Sequence, residues 1–243
     1  MNRFVTALVL IFAVCFPSLA QSRKRRAEDE IQPRVVDPGD ATRPPSDAIV
    51  VFNGKDMDGW LTKQGKPAGC AVENGVMACT SGVGDIVTSA KFKSAQLHVE
   101  FNVPSMPEQH GQLRGNSGIF LHARYELQIL DSYANPTYSH GSLGGLYNQA
   151  APLVNAARKP GEWQTYDIVF HAPECGAESK VAKQASITVH LNNVLVQDGV
   201  SIAASEALGA GCEAGPLQLQ DHSGFPGAPV TTMRFRNIWW RPL

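Results

Sequence analysis

The chain has 243 residues, 43% hydrophobic and 18% charged, with a formal net charge of -1. That apolar content excludes a disordered chain, and 22 Gly with 16 Pro point to many turns rather than helical bundles. With a pI near 6.6 there is no electrostatic footprint for nucleic acid.

Residues 1–20 carry Arg3, an apolar run from Val5 to Phe16, and the small-residue pattern Ser18-Leu19-Ala20. This reads as a cleaved export signal, and its apolar run is too short for a membrane span. A lipoprotein signal at Cys15 fits less well, because Phe12 and Val14 stand where Leu and a small residue are required. Export predicts a periplasmic or extracellular protein with no membrane span once the signal is removed. Residues 21–48 hold six basic and six acidic residues with four prolines and no apolar period, so they read as a flexible spacer. The run Arg23–Arg26 is a solvated part of it.

From Ile49 to Leu243 the pattern is short alternating strands separated by turn residues, which predicts one domain. In Cys70–Cys79 the dipeptide Asn74-Gly75 signals a two-residue hairpin turn. Counting outward from it sets Cys70 opposite Cys79 in a non-hydrogen-bonded pair, where Cα atoms lie ~4.5 Å apart and a disulfide fits. With Cys15 removed, Cys175–Cys212 follows by elimination. No CxxC pair or Cys/His spacing suggests zinc.

Further on, Leu97, Val99 and Phe101 alternate with His98, Glu100 and Asn102. Residues 114–131 read as a hairpin of two apolar strands. There Glu126, Gln128 and Leu130 share one face, with Tyr125, Leu127, Ile129 and Asp131 on the other. Gly141–Tyr147 is a glycine-rich loop with no helix pattern after it to bind phosphate. A second hairpin turns at Asn192-Asn193, and Ser201–Leu208 is the one plausible short helix. In Gly215–His222, Gln218, Gln220 and His222 share a face opposite Leu217, Leu219 and Asp221. A final strand covers Met233–Trp240.

The absence of a fixed repeat excludes a propeller or solenoid, and the pattern predicts an antiparallel sandwich or jelly roll. No nucleophile elbow, P-loop or dinucleotide fingerprint is found. The informative residues are the two polar rows, Glu126 with Gln128 and Gln218 with Gln220 and His222. If the rows meet, they suit sugar hydroxyls, and His222 becomes an acid/base candidate. Periodicity alone does not separate such a site from an exposed sheet face, nor His222 from a capping residue. The four tryptophans, Trp60, Trp163, Trp239 and Trp240, read as core residues before sugar platforms.

Taken together, Val51–Trp60, Gly115–Leu121, Tyr125–Asp131, Asn155–Ile168, Val189–Val196, Pro216–His222 and Phe235–Trp239 resemble, in order, the motifs of the 3-keto-disaccharide hydrolase domain family. The resemblance spans Ile49 to Leu243. It implies a concanavalin A-like lectin/glucanase sandwich and cleavage of glycosidic bonds in sugars already oxidised at C3. Gly141–Gly145 and the segments around Cys175 and Cys212 depart from the family wording, which leaves specificity borne by the loops open.

The resemblance further implies that the two rows meet. On it, Glu126 and His222 are the catalytic pair, as base and acid in either order. Gln128, Gln218 and Gln220 hold sugar hydroxyls, and Asn116 and Tyr147 stand at the rim. The partner is a carbohydrate. No cofactor is expected; lectin-type sandwiches often carry calcium, but no ligand cluster for it is visible here. Only Glu126 is a well-placed carboxylate, which favours elimination over the two-carboxylate route. The alternative is a non-catalytic carbohydrate-binding module of the same fold.

Overall fold

Alternation of apolar and polar residues has its usual consequence here: each strand gives one face to a shared core and one to the outside. The computed structural model describes residues 32–40, 43–204 and 211–243. The described strands all belong to one compact unit, Val36–Leu243. The proposed export signal lies outside the described residues, as do residues 21–31 and 41–42 of the spacer.

The strands in chain order are β1 (Ile49–Phe52), β2 (Trp60–Thr62), β3 (Ala71–Glu73), β4 (Val76–Thr80), β5 (Ile86–Thr88), β6 (Ala95–Asn102), β7 (Ser117–Leu121) and β8 (Tyr125–Ile129). They continue with β9 (Trp163–His171), β10 (Glu174–Cys175), β11 (Val181–Lys183), β12 (Ala185–Leu191), β13 (Val194–Ile202), β14 (Leu217–Leu219) and β15 (Thr232–Pro242). An eight-stranded sheet runs β13-β12-β9-β6-β15-β4-β3, with β1 also paired to β15. A five-stranded sheet runs β2-β5-β14-β7-β8, and β10 and β11 form a separate ribbon. The strand pairs are antiparallel, and the fold is a concanavalin A-like sandwich.

The core lies between the two sheets. Leu97, Val99 and Phe101 from the large sheet and Ile119, Leu121, Leu127, Leu217 and Leu219 from the small one join a single buried cluster. Burying each such side chain contributes roughly 1.5–3 kcal/mol. Trp60 and Trp240 are fully buried within it.

The Asn74-Gly75 turn has both residues at positive φ (51° and 82°), the geometry that an Asn-Gly hairpin supplies. It pairs Val72 with Met77 and Ala71 with Ala78, one step short of the Cys70–Cys79 disulfide, whose Cα atoms are 4.5 Å apart. Cys175 is bonded to Cys212. Asn192-Asn193 turns β12 into β13 in the same way.

The helix expected over Ser201–Leu208 is not formed at its start. Ser201 and Ile202 are extended and pair with Ser186 and Ala185, because Ile202 is drawn into the core. Residues 205–210 of that segment lie outside the described residues.

Candidate functional site

The site is built on the face of the five-stranded sheet that points away from the core. Tyr125, Leu127 and Ile129 turn inward and are buried, so Glu126 and Gln128 turn outward. Register then brings the rows together. Phe120 of β7 stands opposite Glu126 on one side and Gln218 on the other. Gly118 stands opposite Gln128, and its carbonyl accepts the Gln220 amide at 2.9 Å.

Gly118 leaves the space in which the rows meet. A methyl group there would lie 3.1 Å from Glu126 Oε1, 3.2 Å from the Phe120 ring and 3.3 Å from Gln220 Oε1.

β8 is the edge of its sheet, and the glycine-rich loop covers that edge. Gln128 N donates to Gly145 O at 2.9 Å, Gly144 N to Gln128 O at 3.2 Å, and Tyr147 N to Glu126 O at 3.3 Å. These bonds deliver Tyr147 beside Glu126. The Tyr138 hydroxyl donates to the Tyr147 hydroxyl at 2.8 Å, which leaves the Tyr147 hydrogen free to donate elsewhere.

The result is a cleft of about 390 Å³ lined by Asn116, Glu126, Gln128, Tyr147, Gln220 and His222. Gln218 does not line it; the side chain is buried and donates to Asp85 Oδ2 at 3.1 Å. Phe120, between Gln218 and Glu126 in the cross-strand row, explains the separation.

Asp221 also lines the cleft, contrary to strict alternation. β14 ends at Leu219, and a 3-10 turn over His222–Gly224 follows, so the period of two no longer applies at Asp221 and His222. Asp131, on the opposite face, is buried beside Arg114 at 2.8 Å.

Sequence reasoning missed Asp85 and Phe225, which also line the cleft. Asp85 precedes the short strand β5 and carries no local signal; only the pairing of β5 with β14 brings it near.

The amide groups have a defined orientation. Asn116 Nδ2 donates to Gln112 O at 2.8 Å and to Gln112 Oε1 at 3.2 Å. Gln128 Nε2 donates to Gln112 Oε1 at 3.1 Å and to Gly141 O at 3.2 Å. The carbonyl oxygens of Asn116, Gln128 and Gln220 are buried and have no hydrogen-bond partner among the described residues. A buried acceptor left in that state costs about 1–3 kcal/mol.

Burial, with the negative charge of Asp85 added, pushes Glu126 up to about 7. Burial holds His222 below the usual histidine value, outweighing the neighbouring Asp221 charge. Its ring also stacks on Phe225, with centroids 5.1 Å apart.

Two further carboxylates of the cleft are tied up by partners of their own. Burial raises Asp221, but hydrogen bonds from the backbone amides of Ser223, Gly84 and Gly82 outweigh it and leave it below the usual range. Asp85 is paired with Lys63 at 2.6 Å and accepts the Asp221 amide at 2.9 Å. Among the described residues, no group of three or more His, Cys, Asp or Glu side chains is placed to hold a metal ion.

Residues 47–241 match the family model described as the 3-keto-alpha-glucoside-1,2-lyase-like domain. The chain belongs to that family. A solved structure of a candidate glycosyl hydrolase from Parabacteroides distasonis ATCC 8503 is 39% identical, with 96% of this chain and all of that one covered, at a TM-score of 0.83. Two further candidate glycosyl hydrolases from the same organism share the fold. They have 21% and 19% identity and TM-scores of 0.60 and 0.55, and cover 81% and 79% of this chain and 94% and 98% of theirs. No curated protein matches the sequence.

Proposed function

We propose that this lyase-like domain is an exported enzyme that cleaves glycosidic bonds of 3-keto-glucosides or 3-keto-disaccharides by elimination. Family membership and the 39%-identical candidate glycosyl hydrolase support carbohydrate chemistry in general. The observation that carries the finer reading is one carboxyl raised to about 7 and one lowered histidine in a single cleft. Between the lowered His222 value and about pH 7 that environment favours a protonated Glu126 and a neutral His222 in the same cleft, one acid and one base.

The ketone at C3 acidifies the hydrogen on C2. His222 takes that proton, and the C–H electron pair forms the C2–C3 enolate. Tyr147 donates its free hydroxyl hydrogen to the developing oxyanion. The enolate re-forms the ketone by making the C1–C2 double bond and breaking the bond from C1 to the glycosidic oxygen. Glu126 gives that oxygen its proton, and the aglycone leaves as an alcohol. Water added across C1–C2 then yields the free 3-keto sugar. The ordinary two-carboxylate route needs a carboxylate free to attack or to activate water beside the protonated acid. Here both oxygens of Asp221 accept backbone amides, and both of Asp85 are taken by Lys63, Gln218 and the Asp221 amide.

Two disulfides support the export reading, since such bonds persist in oxidising compartments. Among the described residues, no helix is long and apolar enough to cross a membrane. Incubation with a 3-keto-disaccharide and with its unoxidised parent tests the activity. Release of monosaccharide from the oxidised sugar alone is expected. Binding of either sugar with no release would instead make this a carbohydrate-binding module.

A further inference from the structure

The proposed chemistry requires the ring to enter the cleft in one orientation, and a residue outside the predicted set bears on this. Gln112 lies in the short 3-10 turn Gly111–Leu113, before β7. Its side chain makes four hydrogen bonds. Its Nε2 donates to Thr137 Oγ1 at 2.9 Å and to Gly141 O at 2.8 Å. Those two bonds fix its Oε1 as the acceptor for both Asn116 Nδ2 and Gln128 Nε2. With their NH2 groups held by Gln112, neither amide can rotate to exchange nitrogen for oxygen without breaking these bonds. The carbonyl ends are therefore buried without a partner among the described residues, on two side chains that line the cleft.

We infer that Gln112 is a positioning residue that makes the floor of the cleft acceptor-only and so sets the orientation of the sugar. Hydroxyl groups of the sugar can donate to Asn116 Oδ1 and Gln128 Oε1. The C3 ketone, which only accepts, is repelled there and turns toward the hydroxyl of Tyr147. This rests on the proposed 3-keto-glycoside reading for its substrate, but the amide orientation stands independently of it.

Gln112→Met keeps the length of the side chain and removes both its acceptor and its donors. In this variant KM for a 3-keto-disaccharide rises about tenfold or more, on the scale of one lost hydrogen bond, with a smaller change in kcat. Gln112→Glu restores an acceptor, and when protonated it also restores a donor toward Gly141. It therefore recovers a low KM at acid pH and loses it as its carboxyl ionises, a dependence that a packing defect does not produce.

A second readout needs no turnover. The side-chain NH2 signals of Asn116 and Gln128 exchange faster with solvent in Gln112→Met. Those of Gln197, bonded to Gly144 O and Ala151 O, stay unchanged as a check on folding. Unchanged KM with unchanged exchange at Asn116 and Gln128 overturns the role of Gln112. Faster exchange in a protein whose wild type cleaves no 3-keto sugar overturns the substrate reading and leaves the positioning role standing.

Discussion

The outer faces of the two sheets both carry a glutamate among amides and a histidine, yet their chemistry runs in opposite directions. On the large sheet, His98 Nδ1 is bonded to Asp167 at 2.7 Å. Asn237 reaches both His98 Nε2 at 3.2 Å and Glu100 Oε1 at 2.9 Å, and Arg236 binds Glu100 Oε2 at 2.7 Å. A bulge in β15 between Arg236 and Trp239, with Asn237 at φ 48°, aims these side chains at one another. Burial raises Glu100, but the bonds from Asn237 and Arg236 outweigh it and leave it below the usual value.

On the small sheet, Glu126 is pushed up, and three amide oxygens lack partners among the described residues. Size does not tell the two faces apart. The hollow over Glu100, Arg236 and Asn237, at about 480 Å³, is larger than the cleft. What differs is that one network is closed on itself, whereas the other is left to be completed by a ligand.

The comparison breaks if the two glutamates behave alike. Glu126→Gln is expected to lower kcat by ~10²-fold or more, the scale of a lost acid/base group. Glu100→Gln leaves turnover unchanged in the same assay. It lowers stability instead, by about 1–3 kcal/mol in a denaturant melt, since its partners lose a charged acceptor.

The pH dependence sharpens the same contrast. The active form needs Glu126 protonated and His222 neutral, so kcat/KM should fall about tenfold per pH unit above the Glu126 value near 7. On the acid side it falls only below the lowered His222 value. A rate that does not fall above pH 7 would mean that a protonated Glu126 is not required and would remove it as the acid.

Stability should separate the faces in sign. A carboxyl whose folded value is raised favours folding below its unfolded value and loses that contribution as pH climbs through about 7. Glu126→Gln is therefore neutral near pH 4 and stabilising at pH 8, by up to about 3 kcal/mol, one pKa unit being 1.36 kcal/mol. For Glu100 the direction is the reverse, and removing it costs most at neutral pH and above. Thermal melts of both variants at the two pH values read the difference.

The smallest effect is expected at Gly118. Gly118→Ala places a methyl within 3.1–3.3 Å of Glu126 and Gln220, so KM should rise severalfold through crowding of the cleft. An alanine with unchanged KM would mean that the sugar does not rest over β7.

Local chemistry made much of the fold legible in the sequence. Asn74-Gly75 set a register that a single count outward carried to Cys70 and Cys79, and alternation placed Glu126 and Gln128 correctly on β8. Alternation failed at Asp221, because a side chain capping a turn can end a strand at any residue, while His222 reaches the cleft as expected but from the 3-10 turn. Gln218 was misjudged for a different reason. Period fixes the face of a strand but not the neighbour across it, and Phe120 intervenes. Asp85 and Gln112 were invisible because their importance comes largely from contacts that strand pairing and loop packing bring together, Asp85 through β5 and β14 and Gln112 through Gln128, Thr137 and Gly141.

Cleavage of a 3-keto-disaccharide in deuterium oxide, followed by mass and NMR analysis of the released 3-keto sugar, tests the central claim most directly. Elimination with water returning across C1–C2 predicts one deuterium at C2, beyond the slow exchange of a control without enzyme. Release of a sugar that keeps its original hydrogen at C2 would contradict the account, since the bond would then have been cleaved without proton abstraction by His222.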